Sequence, residues 1–272
     1  MVLLVLSDAS AKWLTQIYPV TEVVVLRGLF IIVLLTVIGI RTRTLRVVSP
    51  KGHALRAVFA VISSYLFVFG LSFLPLAEAT AAAFAGPIFL AALAGPLLGE
   101  KVGPRRWAAV LVGFAGVLIM LRPSGTGLNW YMLLPVAAAC FGALRDVVTR
   151  RISVADNATS ILFTTNVATA LAGSLFAAGW SMPTALHVAL LAVSGALIGS
   201  AHYLHIEAFR LAEAATIAPF RYSSIVWGVL FGLAFFGQLP GPWVMAGGAL
   251  VIASGLYIMQ RERVRRRAGQ GG

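Results

Sequence analysis

Charge is scarce in this 272-residue sequence, and acidic charge most of all: nine Asp and Glu stand against 21 Lys and Arg, and together they make up 11% of the chain. A water-soluble domain carries about 25% charged residues, because most of its surface must face water. An ordinary soluble enzyme is therefore excluded. Cysteine occurs once, as Cys140 in an apolar run. That rules out an intrachain disulfide and reads as a small buried hydrophobe. The period-2 alternation of a membrane β-barrel is missing. So are a phosphate-cradling glycine loop and any nucleophile constellation. The apolar run at residues 1–6 continues into Ser-Asp-Ala-Ser-Ala-Lys without a stop-transfer pattern, so it is expected to be part of a helix rather than a cleavable signal.

What is present is apolar: 60% of the residues, with a mean hydropathy of +0.92. The excess recurs in ten blocks that approach the roughly 20 residues needed to cross about 30 Å of hydrocarbon. They cover 1–17, 20–40, 53–74, 77–98, 106–121, 129–149, 158–178, 185–206, 214–236 and 243–260. The expected fold is an all-α integral membrane protein with ten transmembrane helices. Short Pro- and Gly-rich links such as Ser49-Pro50-Lys51-Gly52 and Pro240-Gly241-Pro242 leave no room for a soluble domain between them.

The net charge of +12 would suggest a nucleic-acid partner in a soluble protein. Here its placement matters more. With the N-terminus in the cytoplasm, seventeen of the basic residues fall in the inner loop regions and tail, Arg56, Arg145 and Arg150 among them; only Arg122 falls outside, and Lys12, Arg27 and Arg221 lie within spans. The positive-inside rule then puts both termini in the cytoplasm. The partner implied by this charge is a lipid bilayer, not nucleic acid.

One constant shift of the sequence against itself superimposes Asp8 and Lys12 on Asp146 and Arg150, and Gly99-Glu100 and Pro104 on Gly237-Gln238 and Pro242. With a three-residue slip, Leu76-Ala77-Glu78-Ala79 matches Leu211-Ala212-Glu213-Ala214. The expected organisation is a first repeat over 1–123, a second over 129–260 and a basic cytoplasmic tail over 261–272. Five helices per repeat is odd, so the second enters the membrane inverted, an arrangement that places substrate near the midplane between repeats. The first block is short for a bilayer at about 1.5 Å per residue, and a native start about ten residues upstream is expected.

Several segments carry a family resemblance. Gly86-Pro87-Ile88-Phe89, Leu98-Gly99-Glu100-Lys101, Arg105-Arg106-Trp107, the Val112–Val117 run Val-Gly-Phe-Ala-Gly-Val and Leu121-Arg122-Pro123 resemble the EamA family of the drug/metabolite transporter superfamily. So do Ala218-Pro219-Phe220-Arg221-Tyr222 and the opening Ser7-Asp8 with Lys12-Trp13. Leu144-Arg145-Asp146-Val147-Val148-Thr149-Arg150-Arg151 is similar to members that take up riboflavin or S-adenosylmethionine, while other members export amino acids. The resemblance implies a secondary carrier in the inner (plasma) membrane of a bacterium, with no cofactor. Gln238 stands where the family often has Glu, which speaks against a protonatable role there.

Ionisable side chains within a span cost about 2.5–3.5 kcal/mol on insertion scales and so face the bundle interior. Arg27 and Arg221 are candidates to hold a substrate carboxylate or phosphate, with snorkelling or a structural ion pair as the alternative. Asp8 with Lys12, and Asp146 with Arg150, can pair at i,i+4 on one helix face, either as gates or as charge neutralisation for insertion. Asp8, Glu78 and His202 are the candidate proton carriers. Lys12, Trp13, Tyr65, Phe84, Tyr203 and Tyr222 are candidate substrate contacts, the aromatics by stacking on a planar solute. Pro87, Pro96, Pro135 and Pro219 interrupt spans and free carbonyls, which a membrane tolerates only beside protein or water. Gly113, Gly116, Gly247, Gly248 and Gly255 would admit close helix contact, within the chain or with a second copy as a homodimer. Two rival classes remain: a membrane-embedded metalloenzyme built on His202-Tyr203-Leu204-His205-Ile206-Glu207, for which no second cluster completes a metal site, and a solute channel. The favoured reading is a carrier of a small organic metabolite that works by alternating access.

Overall fold

A computed structural model describes the backbone of residues 1–98, 104–120, 130–211 and 214–270, and their side chains apart from 87, 91, 94–96, 98, 105–106, 209–222, 258–259 and 261–270. Every regular element among these residues is helical: α1 (Val2–Leu14), α2 (Val20–Thr42), α3 (Pro50–Phe73), α4 (Leu76–Ala83), α5 (Ala85–Leu98), α6 (Pro104–Met120), α7 (Leu133–Ile152), α8 (Ala158–Ser174), α9 (Ala185–Leu211), α10 (Ala214–Phe236) and α11 (Pro242–Gln270). The tail expected from residue 261 continues α11.

Proline opens helix after helix. Pro50, Pro104 and Pro242 are first residues of α3, α6 and α11, while Pro19 and Pro75 cap the starts of α2 and α4. A fixed φ suits the start of a helix, where the missing N–H is not needed. Asn157 starts α8 by accepting the Ser160 N–H at 2.9 Å, a side-chain cap. Inside a span proline acts differently. The block expected over 77–98 is two helices divided at Phe84: Pro87 cannot donate to the Ala83 carbonyl, so the ladder fails there. Pro135 lies in the first turn of α7 and interrupts nothing. The backbone of α10 runs through Pro219.

Among the described residues four helical stretches are long and apolar enough to cross a membrane, Val20–Thr42, Pro50–Phe73, Trp130–Ile152 and Ala185–Ala208, and shorter apolar helices cover Leu76–Leu90, Trp107–Met120, Ser223–Phe236 and Pro242–Tyr257. The distribution of side chains is inverted relative to a soluble protein. Val33, Ile40, Leu111, Leu118 and Leu171 are exposed, whereas Asp8, Lys12, Glu22, Arg27, Arg56 and Asp146 are buried. In water that pattern would carry a double penalty. In hydrocarbon it is the expected one, apolar outside and ionisable groups turned to the bundle interior.

The helices pack in matched pairs. α3 lies on α7 and α1 on α9; α2 meets α9 and α3 meets α8; α5 lies on α7 and α1 on α10; α2 pairs with α8 and α6 with α11. Helix ends recur at one spacing. Leu14 and Ile152 end α1 and α7, and Val20 and Ala158 begin α2 and α8. Each pair is separated by the same interval as Asp8 and Asp146, so these helix ends align without the three-residue slip.

α2 is fastened at both ends to the other half of the chain. At its start, Tyr18 Oη lies 2.6 Å from His187 Nδ1, Trp180 donates to Thr21 at 3.0 Å, and the Ser181 N–H donates to Glu22 at 3.2 Å. Beyond its other end, the N–H groups of Val48 and Ser49 donate to the Asp156 carboxylate at 2.7 and 3.2 Å. His53 Nδ1 meets Thr164 Oγ1 at 2.8 Å, while its Nε2 sits 3.3 Å from Asp156, near enough for charge attraction but without hydrogen-bond geometry.

The glycine stripe is used within the chain. α6 and α11 cross so closely that a Cβ on Gly247 would stand 2.4 Å from the Gly116 carbonyl oxygen. This is the close helix contact within the chain that the sequence expected of these glycines. Gly247→Ala is expected to destabilise the protein by about 1–3 kcal/mol, because backbone must move to admit the methyl. Gly248→Ala, whose Cβ would meet the Met120 methyl at 3.5 Å, is the tolerated control. Thermal unfolding of both in detergent checks the contrast.

Candidate functional site

The buried charge collects around two neighbouring cavities, a larger and a smaller lobe that share wall residues. The larger lobe, about 110 Å³, is lined by Asp8, Phe67, Thr80, Phe84, Arg145, His202, His205 and Ser224 among others. The smaller, about 50 Å³, is lined by Arg27, Arg56, Ser64, Arg145, Thr165, Asn166, Thr169 and His202 among others. Arg145 and His202 line both lobes. Eight helices contribute: Asp8 from α1, Arg27 from α2, Arg56 from α3, Thr80 from α4, Arg145 from α7, Thr165 and Asn166 from α8, His202 from α9, and Ser224 from α10. Two more open spaces, of about 320 and 380 Å³, are apolar and carry none of these charges.

Hydrogen bonds hold most of the cationic groups. Arg56 donates from Nε to Thr149 Oγ1 at 2.8 Å and from Nη1 to Thr165 Oγ1. Thr149 in turn donates to the Arg145 carbonyl at 2.7 Å, which ties α3 to the turn that carries Arg145. Arg145 donates from Nε and Nη2 to one oxygen of its neighbour Asp146, at 3.1 and 2.9 Å. Thr165 and Asn166 bond back to Ile161 and Leu162 of their own helix, at 2.7 and 2.9 Å, and no described residue uses the amide oxygen of Asn166. Arg27 differs. It is 5% exposed, its Nη1 has no partner, and its guanidinium makes no hydrogen bond to any described residue. Asp8 and Tyr65 lie within electrostatic reach of it.

The structure brings together Asp8, Arg27, Phe84 and His202 from the residues that the sequence singled out. Tyr65 stands beside them, its hydroxyl donating to the Thr169 carbonyl at 2.9 Å. Lys12 and Trp13 go elsewhere. Lys12 Nζ donates to the carbonyls of Leu71, at 3.1 Å, and Leu74, with the Phe236 ring 5.6 Å away. Asp8 and Lys12 therefore form no ion pair, contrary to the i,i+4 expectation. Trp13 lines a separate apolar space and packs edge-on against His187. Glu78 accepts the Gly241 N–H at 3.4 Å, outside the charged cavity. Tyr203 is exposed on the bundle exterior. Arg150 is half-buried near the end of α7. The side chains of Arg221 and Tyr222 lie outside the described residues, as does Glu100.

Arg56 and Arg145 are the charged cavity residues that sequence reasoning missed. It places both among inner-loop charges, yet both line the cavity. The missed signals are local: Arg56 stands six residues into a helix, and Arg145 stands next to an acid within an apolar one. Among the described residues no group of three or more His, Cys, Asp or Glu is placed to hold a metal ion.

The family model of the EamA-like transporter family matches residues 1–122. A riboflavin transporter of Rhizobium johnstonii is 34% identical over 80% of this chain and 73% of its own. An S-adenosylmethionine uptake transporter of Rickettsia bellii is 30% identical over 94% of this chain and 89% of its own. The chain belongs to the EamA-like transporter family. A riboflavin transporter of Vibrio cholerae is 32% identical over 84% of this chain and 77% of its own. A protein crystal structure, at 19% identity, superposes with a TM-score of 0.68 over 97% of this chain and 96% of that one, and so shares its fold. Membership in this family of membrane transporters accounts for the apolar exterior.

Proposed function

We propose that this protein is a secondary carrier in a bacterial inner membrane, with ten spans in two inverted repeats and both termini cytoplasmic, that moves a small metabolite by alternating access through the charged cavity. The observation that carries this reading is a pair of neighbouring cavities that bear charged side chains, lined by eight helices and enclosed in an apolar shell. A membrane protein has no structural need for so many buried charges. The exchange of packing partners between the halves and the recurrence of helix ends at one constant interval support the repeat. Alternating access follows from such a pair, since each half presents the same elements to opposite membrane faces.

The names of the relatives support uptake of a riboflavin-like or S-adenosylmethionine-like solute, with amino acids as the remaining class. Phe84, on the wall of the larger lobe beside the break between α4 and α5, is the aromatic placed to stack on a planar ring. Arg27 faces the carboxylate of an S-adenosylmethionine-like or amino-acid solute, a group that riboflavin itself lacks, and Asp8 and His202 are the proton-coupling candidates that reach the cavity. Proteoliposomes containing the purified protein should show saturable flux of riboflavin, S-adenosylmethionine or an amino acid, absent from empty liposomes. Flux of none of them would reject the reading. Solute-gated conductance far above carrier turnover in a planar bilayer would make the protein a channel instead.

A further inference from the structure

We infer that the smaller lobe is a subsite for an oxyanion, the carboxylate or phosphate of the transported solute, gripped by Arg27 together with Arg56 and Arg145. The inference rests on the carrier reading for the identity of its ligand as cargo, but the anion site itself is argued from the side chains. Three guanidinium groups line the lobe, and two carboxylates, Asp8 and Asp146, stand nearest to them. Among the described residues one positive charge is left over before His202 is counted.

A buried, unbalanced guanidinium is costly unless something pairs with it. The partners inside the protein are already assigned. Arg145 is bonded to Asp146 and Arg56 to two threonines, and no described residue uses Nη1 of Arg145 or Nη2 of Arg56. Arg27, more than nine-tenths buried on the same wall, uses none of its five N–H donors on a described residue. A planar fork with free donors matches a carboxylate or phosphate bidentately.

The size of the lobe fits the same ligand. At about 50 Å³ it holds a few water molecules, at roughly 10–15 Å³ each. That is the bulk of one acidic group rather than of a ring system. Asp8 sets the limit on charge: it lines the adjoining lobe and offsets one cation, so the site suits one anionic group, with the rest of the solute lying toward Phe84.

The test is calorimetric titration of the purified full-length protein in detergent with sodium phosphate and, separately, sodium acetate, each against sodium chloride of equal ionic strength. At least one of the two should bind saturably. Arg27→Gln should weaken that binding at least tenfold, and Arg27→Lys should retain part of it. If Arg27→Gln does not fold, Asn166→Asp gives the second reading, since it adds like charge to the lobe without touching Arg27 and should also abolish binding. Preference for phosphate assigns a phosphorylated solute, and preference for acetate a carboxylate. Heats no larger than those of chloride, or wild-type affinity in both variants, would overturn the inference. Anion binding without flux in proteoliposomes would reject the carrier reading alone, and flux without anion binding would reject the subsite alone.

Discussion

Lys12→Met should cost the fold about 3–5 kcal/mol, the range for removing one partner of a buried charged network, while a variant that still folds keeps its affinity for solute. The reason lies at the corner between α3 and α4. The Leu71 carbonyl would normally accept the N–H four residues on, but that residue is Pro75, which has none. Helix α3 therefore ends with carbonyls that lack backbone donors. Lys12, 4% exposed, reaches across from α1 and donates to both Leu71 and Leu74. A cation is also the favoured charge at the C-terminal end of a helix dipole. Glu78 stands within electrostatic reach and completes the group. Methionine keeps most of the bulk but strands two carbonyls and removes the cation within reach of the half-buried Glu78. Lys12→Arg, which restores the charge, should recover part of the loss. Unfolding by added SDS in mixed micelles measures the difference. A Lys12→Met protein as stable as the wild type, with weakened solute binding, would return Lys12 to the substrate.

Much of this architecture was legible because a bilayer imposes a simple rule on sequence. Stretches of about 20 apolar residues must be helices when no water is available to their backbone, and the ten blocks correspond to helices α1 to α11 once one of them is divided. The division was only half visible. Pro87 announced an interruption, but Pro135 carries the same letter and interrupts nothing, because α7 begins four residues later than the block. Proline reads as a break or as a helix start according to its distance from the helix end, and block edges do not fix that distance.

The site was less legible than the fold, for a different reason. Counting basic residues by loop is a statement about sequence position, while burial depends on which helices pack together. Arg56 and Arg145 lie close enough to span edges to pass as loop charges, yet α3 packs on α7 and turns both toward the cavity. Asp8 and Lys12 share an i,i+4 spacing but part company, because the proline corner of α3 draws Lys12 away from its neighbour. Arg27 stands out in the sequence as a cation deep in an apolar block, and it is buried. That its Nη1 lacks a hydrogen-bond partner among the described residues depends on the helices packed around α2, and no pattern within one helix could have announced it.

Arg145→Leu should lower uptake about 100-fold in protein that still inserts and folds. Arg145 lines both lobes and lies within electrostatic reach of both Arg56 and His202. Its two donors hold one oxygen of Asp146, so the leucine variant loses two hydrogen bonds to a charged group, each worth about 1.5–3 kcal/mol. It also loses a cation from the wall that faces the solute. Since a tenfold change corresponds to about 1.4 kcal/mol, loss of one such interaction with the solute or with the charge that orients it gives the stated effect. A double-mutant cycle separates the two roles. If Arg145 only orients Asp146, then Asp146→Leu alone is as damaging, and the double variant is no worse than either single one. If Arg145 touches solute, Asp146→Leu retains measurable flux, and Arg145→Leu abolishes it in either background. Initial rates in proteoliposomes, normalised to the amount of folded protein, decide between them. Flux within threefold of wild type in Arg145→Leu would remove this residue from the transport path and leave the larger lobe, with Asp8 and His202, as the binding site.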